Sequence, residues 1–165
     1  VLSLGATFVA AAPVTPAAET AGGYAREQSA DEQARIAAAL AGHVKDMDLV
    51  VTTAQIPGRP APRLITADMV ATMRPGSVIV DLASETGGNC ELTRAGETLA
   101  TEGGVTILGP LNIASSVPFH ASQMLSRNVL TLLQHLTKDG ALHVDVADEI
   151  TGAMAVAHGG EVRLA

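Results

Sequence analysis

Residues able to do chemistry are sparse in this chain and gather in two loops. The first, TAQIPGRPAPR at 53–63, is built of small residues that let a flat ring or a sugar approach the backbone closely. Pro57, Pro60 and Pro62 hold its shape by restricting the unfolded chain, which suits a ligand cradle and a rigid connector equally. The second, ASETGGNCE at 83–91, carries Glu85 followed by Gly87 and Gly88, a pair able to adopt positive φ. A carboxylate at position 85 can accept hydrogen bonds from a sugar or carboxamide, exchange a proton with a substrate, or face solvent.

Other reactive side chains point away from chemistry. Asp81 lies inside an apolar run, where a buried acid needs donors, so it is expected to tie backbone amides. Cys90 has no basic neighbour in sequence to lower its pKa and is not expected to act as a nucleophile. As the single cysteine it allows no intrachain disulfide, which is consistent with a reducing compartment. His43, His120, His135, His143 and His158 share no metal-ligand spacing, and no metal site is expected. Arg26, Arg59 and Arg63 are able to meet phosphate, although solvent is the default for arginine. No G-x-G-x-x-G turn follows a strand; Gly22-Gly23 and Gly103-Gly104 do not qualify.

The elements around the two loops explain why they matter. Residues 49–53 and 77–82 are short, β-branched apolar runs and read as strands, with a helix at 66–73 between them. Strand, loop, helix, strand implies a parallel pair with a right-handed crossover. Both runs are apolar throughout, as expected of strands covered on each face. Ligands of such sheets sit beyond the carboxyl ends of the strands, where both loops begin.

Elsewhere, 5–9 reads as a strand and 10–23 as an aperiodic loop of lid or linker length. A helix is expected over 28–45, capped by Ser29 or Asp31, with Ile36, Leu40 and Val44 on one face. Another buried strand follows at 104–109. Pro118 then starts a long amphipathic helix with Leu125, Val129, Leu132, Leu133 and Leu136, stopped by Lys138-Asp139-Gly140. Residues 153–164 read as a hairpin on Gly159-Gly160. The fold class is α/β: the second half of a doubly wound, Rossmann-like parallel sheet, then a long exit helix and a small C-terminal β-hairpin segment.

Composition sets the outer bounds. The 165 residues suffice for one domain with a core, or two small ones. Phe8, Phe119 and Tyr24 are the only phenylalanine, tyrosine or tryptophan residues, so Ala, Val, Leu and Gly must fill the interior. A net charge of −7 without a basic tract argues against nucleic acid and anionic membrane surfaces as direct partners. No apolar run approaches the roughly 18 residues of a membrane span. The Ala-rich start lacks a basic region, and Ser3 and Thr7 interrupt it, unlike a secretion signal. Opening at Val1, the chain is expected to begin inside a longer protein.

Three word-like stretches carry a resemblance: TTA-x-IPG-RPAP-x-LIT at 52–66, MRPGSVIVDLA at 73–83 and GGNCELT at 87–93. Together they resemble the alpha subunit of proton-translocating nicotinamide nucleotide transhydrogenases, over nearly the whole chain. Alanine dehydrogenases share a looser version, IPG-x-x-AP followed by PGSVIVD. The resemblance implies an NAD(H)-binding component on the cytosolic side of the bacterial inner membrane, peripheral and homodimeric. Its partners would be an NADP(H)-binding component and a membrane proton channel, with hydride passing between the two nucleotides. Residues 1–117 would form the NAD(H)-binding portion, and 118–165 a linking helix and returning segment.

Residue by residue, the resemblance makes Tyr24 the contact of a mobile lid and lays Thr53 and Ala54 along the adenosine, with Gln55, where the family commonly has leucine, a further cofactor contact. Glu85, Gly87, Gly88 and Asn89 would border the nicotinamide end. Asn112 matches a family asparagine, although Leu111, Ala114 and Ser116 depart from the pattern around it. No catalytic residue is implied. The family's dinucleotide fingerprint would lie before Val1, so the chain alone is expected to bind NAD(H) poorly. Two other readings stand beside this one. In an alanine dehydrogenase fragment Glu85 would occupy the place of a catalytic aspartate; a truncated, non-catalytic subunit would serve only within an oligomer.

Overall fold

A computed structural model of the chain describes residues 2–9, 30–56 and 58–163. Tyr24, Arg26, Ser29, Pro57 and the 10–23 loop lie outside them. The chain divides into two compact units, Val1–Ile113 and Ala114–Ala165.

In the first unit the elements are α1 (Ala30–Val44), β1 (Leu49–Thr52), α2 (Ala67–Ala71), β2 (Val78–Asp81), β3 (Thr98–Ala100) and β4 (Thr106–Leu108). They form a four-stranded sheet in the order β1-β2-β4-β3. β1 and β2 pair in parallel, as do β2 and β4, while β3 runs antiparallel at the edge. Thr66 starts α2 by accepting the Met69 N–H on its hydroxyl at 3.2 Å, satisfying one of the first turn's orphan donors.

Register explains the core. Val50, Ile79, Ile107 and Leu99 stand in one row across the sheet. That row packs with Val44, Ile65, Met69, Val70, Met73, Cys90 and Val105. The row on the other face begins with Val51, which is 53% exposed, so β1 is an edge strand covered on one face only among the described residues. This corrects the expectation of two covered faces: apolar residues throughout a run do not by themselves supply a second layer.

Three further expectations are corrected. Residues 6–9 form no strand, and only a single 3₁₀ turn, Leu2–Leu4, precedes them. A run of five containing Gly5 and Ala6 has little apolar area to hold it on a sheet edge. In α1 the stripe packed on the core is Ala37, Ala41 and Val44, with Ile36 and Leu40 half-buried beside it. Asp31 lies inside the helix rather than capping it.

A short helix, α3 (Ile113–Ser116), follows the sheet. The second unit then contains α4 (Pro118–His135), the hairpin β5–β6 (Thr137–Lys138, Ala141–Leu142), α5 (Glu149–Met154) and the hairpin β7–β8 (Ala157–His158, Glu161–Val162). Both hairpin turns have positive φ at each central residue, Asp139 with Gly140 and Gly159 with Gly160, as type I′ turns require. Ala153 and Met154 belong to α5, not to a strand, because Asp148 caps that helix. Its carboxylate accepts the N–H groups of Ile150 at 3.1 Å and Thr151 at 2.9 Å. His135 Nε2 lies 2.8 Å from the same oxygen.

Candidate functional site

The carboxyl ends of β1 and β2 lead into the two loops, and the structure zips those loops together. Past the last strand residues, the Leu82 N–H donates to the Thr52 carbonyl at 2.9 Å. Asn89 then acts as a surrogate strand. Its Oδ1 accepts the Ala54 N–H at 3.0 Å, and its Nδ2 donates to the carbonyls of Ala54 at 2.9 Å and Pro62 at 2.8 Å. The Asn89 main-chain carbonyl accepts from Leu64 and Ile65 at 2.8 and 3.0 Å, and the Ala61 N–H reaches Thr86 at 2.8 Å. Arg63 Nη1 closes the far end on the Cys90 carbonyl at 2.7 Å, so this arginine is not simply solvated.

Beneath the zip lies Asp81, fully buried. Its Oδ1 accepts from the Thr52 hydroxyl at 3.0 Å and the Ala83 N–H at 3.1 Å; its Oδ2 accepts from the Cys90 N–H at 2.9 Å and the Thr93 hydroxyl at 2.7 Å. Burial by itself raises the pKa of this carboxyl. The donors, led by the Cys90 N–H and the Thr93 and Thr52 hydroxyls, outweigh it and hold the group below its ordinary value. Asp81 therefore ties amides, as its place in an apolar strand implied. Burial pushes the Cys90 thiol pKa up, the direction opposite to that of an activated nucleophile.

Local sequence explains the loop's path. Gly87 (φ 103) ends a 3₁₀ turn at Ser84–Thr86, donating its N–H to the Ser84 carbonyl at 3.2 Å. Gly88 (φ 80) passes so close to Asp81 that a Cβ there would stand 2.7 Å from Oδ2. On the other side the same loop reaches the chain beyond β4. Ser84 Oγ donates to the Pro110 carbonyl at 2.5 Å, and the Glu85 carboxylate accepts the N–H of Asn112, whose φ is 50. The loop after β2 is thus bonded to the loops after both of its parallel neighbours.

Of the expected contacts, Thr53, Gln55, Glu85, Gly87 and Asn112 are exposed and Ala54 is half-buried. Gln55 also donates Nε2 to the Leu82 carbonyl at 3.1 Å. Gly88 and Asn89, expected at the nicotinamide end, lie beneath the surface: Gly88 makes room for Asp81, and the Asn89 side chain joins the loops. Tyr24 lies outside the described residues. Sequence reading missed the Ser84–Pro110 and Glu85–Asn112 ties, which join residues 26 and 27 apart with no periodic signal.

The exposed set suits the edges of a dinucleotide. Small backbone surfaces at Ala54 and Gly87 can take a ring or ribose, and among the described residues, its chain neighbours aside, no atom lies within 4 Å of where a Cβ would stand at Gly87. Glu85, whose carboxylate accepts the Asn112 N–H, and Gln55, whose Nε2 donates to the Leu82 carbonyl, supply exposed polar groups on the same two loops. A groove of about 350 Å³ between Gly96, Thr98, Leu108, Pro110 and Leu111 contains none of the expected contacts. Among the described residues there is no cluster of three or more metal-binding side chains, and no helix is long and apolar enough to cross a membrane.

Comparison with known proteins follows the same lines. The family model for the alanine dehydrogenase/PNT C-terminal domain matches residues 2–165. The NAD(P) transhydrogenase subunit alpha of Haemophilus influenzae is 44% identical over 141 residues, covering 84% of this chain and 28% of that protein. The NAD(P) transhydrogenase subunit alpha of Cereibacter sphaeroides is 44% identical over 143 residues, covering 86% and 27%. An alanine dehydrogenase of Staphylococcus saprophyticus is 39% identical over 103 residues, or 60% of this chain and 28% of that one. The crystal structure of a transhydrogenase from Sinorhizobium meliloti superposes with a TM-score of 0.71 at 41% identity, covering 98% of this chain and 41% of that one. An L-alanine dehydrogenase structure gives 0.53 at 34% identity, covering 63% and 30%. The chain spans less than half the length of each of these relatives. With its match running from residue 2 to residue 165, the chain belongs to the alanine dehydrogenase/PNT C-terminal domain family.

Proposed function

We propose that this chain is part of the NAD(H)-binding component of a proton-translocating transhydrogenase. One observation supports this above the rest: the loops after β1 and β2 are zipped into one rim at the carboxyl ends of parallel strands, where nucleotides bind in such sheets. Thr53 and Ala54 lie along the adenosine with Gln55 as a further cofactor contact, Glu85 and Gly87 border the nicotinamide end, and Asn112 closes the rim through Glu85. Tyr24 covers the bound nucleotide. Residues 1–117 serve as the nucleotide-binding portion and 118–165 as the linking and returning segment.

Hydride transfer between two nicotinamide rings needs no acid or base from the protein. The work of these residues is to hold one ring within near-attack distance of the other and to exclude water. An NADP(H)-binding component supplies the second nucleotide, and a membrane component couples the transfer to proton movement. The chain acts at the cytosolic face of the bacterial inner membrane. Two copies pair, with the Ala/Val-rich hairpin near the exposed Met154 as one contact.

The test uses the complete gene product with an NADP(H)-binding component. NADPH-dependent reduction of NAD⁺, with no reduction of NAD⁺ by L-alanine, is the expected result. Reduction driven by L-alanine alone would favour the alanine dehydrogenase reading. Failure of both activities, with no NADH binding, would leave the non-catalytic oligomer subunit.

A further inference from the structure

We propose that Asn89 is a positioning residue of the nucleotide rim: its side-chain amide locks the β1 loop in the shape that receives the ligand, without touching the ligand itself. The proposal rests on the NAD(H) reading above for its ligand, and on the geometry of this chain for its mechanism.

The amide is fully buried and meets only backbone. Its orientation is dictated by its partners. The Ala54 N–H needs an acceptor, while the Ala54 and Pro62 carbonyls need donors. A flipped amide would face donor to donor and acceptor to acceptors, so only one orientation satisfies all three groups. Ala54 therefore has both of its backbone polar groups engaged by one side chain, as if a further strand ran beside it. Its neighbours Thr53 and Gln55 are exposed on the rim and take their positions from that anchor.

The anchor is itself held. The preceding residue, Gly88, and the following one, Cys90, both meet Asp81. A Cβ at Gly88 would crowd Oδ2, and the Cys90 N–H donates to that same oxygen at 2.9 Å. Asp81 offers acceptors only, and all four of its hydrogen-bond partners are donors. The rigid end of β2 is in this way transmitted through one carboxylate and one amide to the β1 loop. Without the amide, the Ala54 N–H and the Ala54 and Pro62 carbonyls lose these partners, while the main-chain bonds of Ala61, Leu64 and Ile65 and the Arg63–Cys90 bond still join the two loops farther along.

Two variants separate positioning from bulk stability. Asn89→Ala in the complete gene product is expected to weaken NADH binding at least about tenfold, the effect of roughly 1.4 kcal/mol. In the same variant amide exchange should quicken at Ala54 while Ile79 and Ile107 keep their protection. Asn89→Asp supplies a readout that a merely structural role would not move at a temperature well below unfolding. As a neutral acid it can still donate to one carbonyl; as a carboxylate it cannot. Its NADH dissociation constant should rise with pH, while that of the parent stays flat over the same range.

Unchanged NADH affinity in Asn89→Ala, or faster exchange spread evenly through the core, would overturn the proposal. So would an affinity in Asn89→Asp that is reduced equally at every pH. A parent protein that binds no NADH would refute the NAD(H) reading instead. The selective exchange at Ala54 would then still decide whether the amide locks the loop.

Discussion

Asp81 and Gly88 define the chemistry of the rim at the level of single residues. Asp81→Asn places amide hydrogens against donors on at least one side, because all four partners give hydrogen bonds. We expect a loss of about 3 kcal/mol, read as a lower urea midpoint at unchanged slope. The parent's pKa here is depressed by folding, so the stability it contributes is complete above the ordinary value of 3.8 and is lost as pH falls through the folded value. The gap between parent and variant should therefore be widest at neutral pH and narrow below about pH 4. The adjacent glycines give a sharper contrast. Gly87→Ala and Gly88→Ala both strain a positive φ, costing about 1–2 kcal/mol, but only the second drives a methyl against Asp81. Thermal unfolding should show Gly88→Ala as the more damaging by about 1–3 kcal/mol. The role of Asp81 was legible in the sequence, since a lone acid inside an apolar strand must find donors. That of Asn89 was not: a loop asparagine has the same neighbours in sequence whether its amide meets a ligand or a distant backbone.

Among the elements, α2, β2, β4 and α4 were readable because a cap, an apolar run or a helical period marks each. β3 has three residues and β5–β6 two each, too short for any period to register. The Asp139-Gly140 pair read as a helix stop is also a hairpin turn, since both roles call for positive φ. Caps make two predictions at this scale. Thr66→Ala should cost about 1 kcal/mol by removing the acceptor for the Met69 N–H, measured by denaturant unfolding. Asp148 titrates at about 2, held down first by the Thr151 N–H and then by the hydrogen bond with His135. Its contribution is complete above 3.8 and lost as pH falls through about 2. Removing the imidazole in His135→Ala should raise its midpoint in a carboxyl NMR titration yet leave it below 3.8, since the Thr151 bond remains.

At the scale of the molecule, the parallel sheet was foreseeable and its covering was not. The row Val50, Ile79, Ile107 and Leu99 is packed against the core, while Leu49 and Val51 on β1 are 59% and 53% exposed. In α4, Phe119, Met124, Leu125 and Leu133 are likewise exposed. Contiguous exposed apolar surface is where a chain meets protein, membrane or ligand, and scattered exposed apolar residues are ordinary. Sequence pattern identifies an apolar stripe but carries no information on whether its partner lies in the same 165 residues. The nucleotide-binding role of the rim is tested most directly by an NMR titration of the complete gene product with NADH. The largest amide shifts are expected at Thr53, Ala54, Gln55, Glu85 and Gly87, where the rim receives the nucleotide. Binding whose shifts gather instead at the groove around Gly96, Leu108 and Leu111, leaving the rim unmoved, would contradict that role.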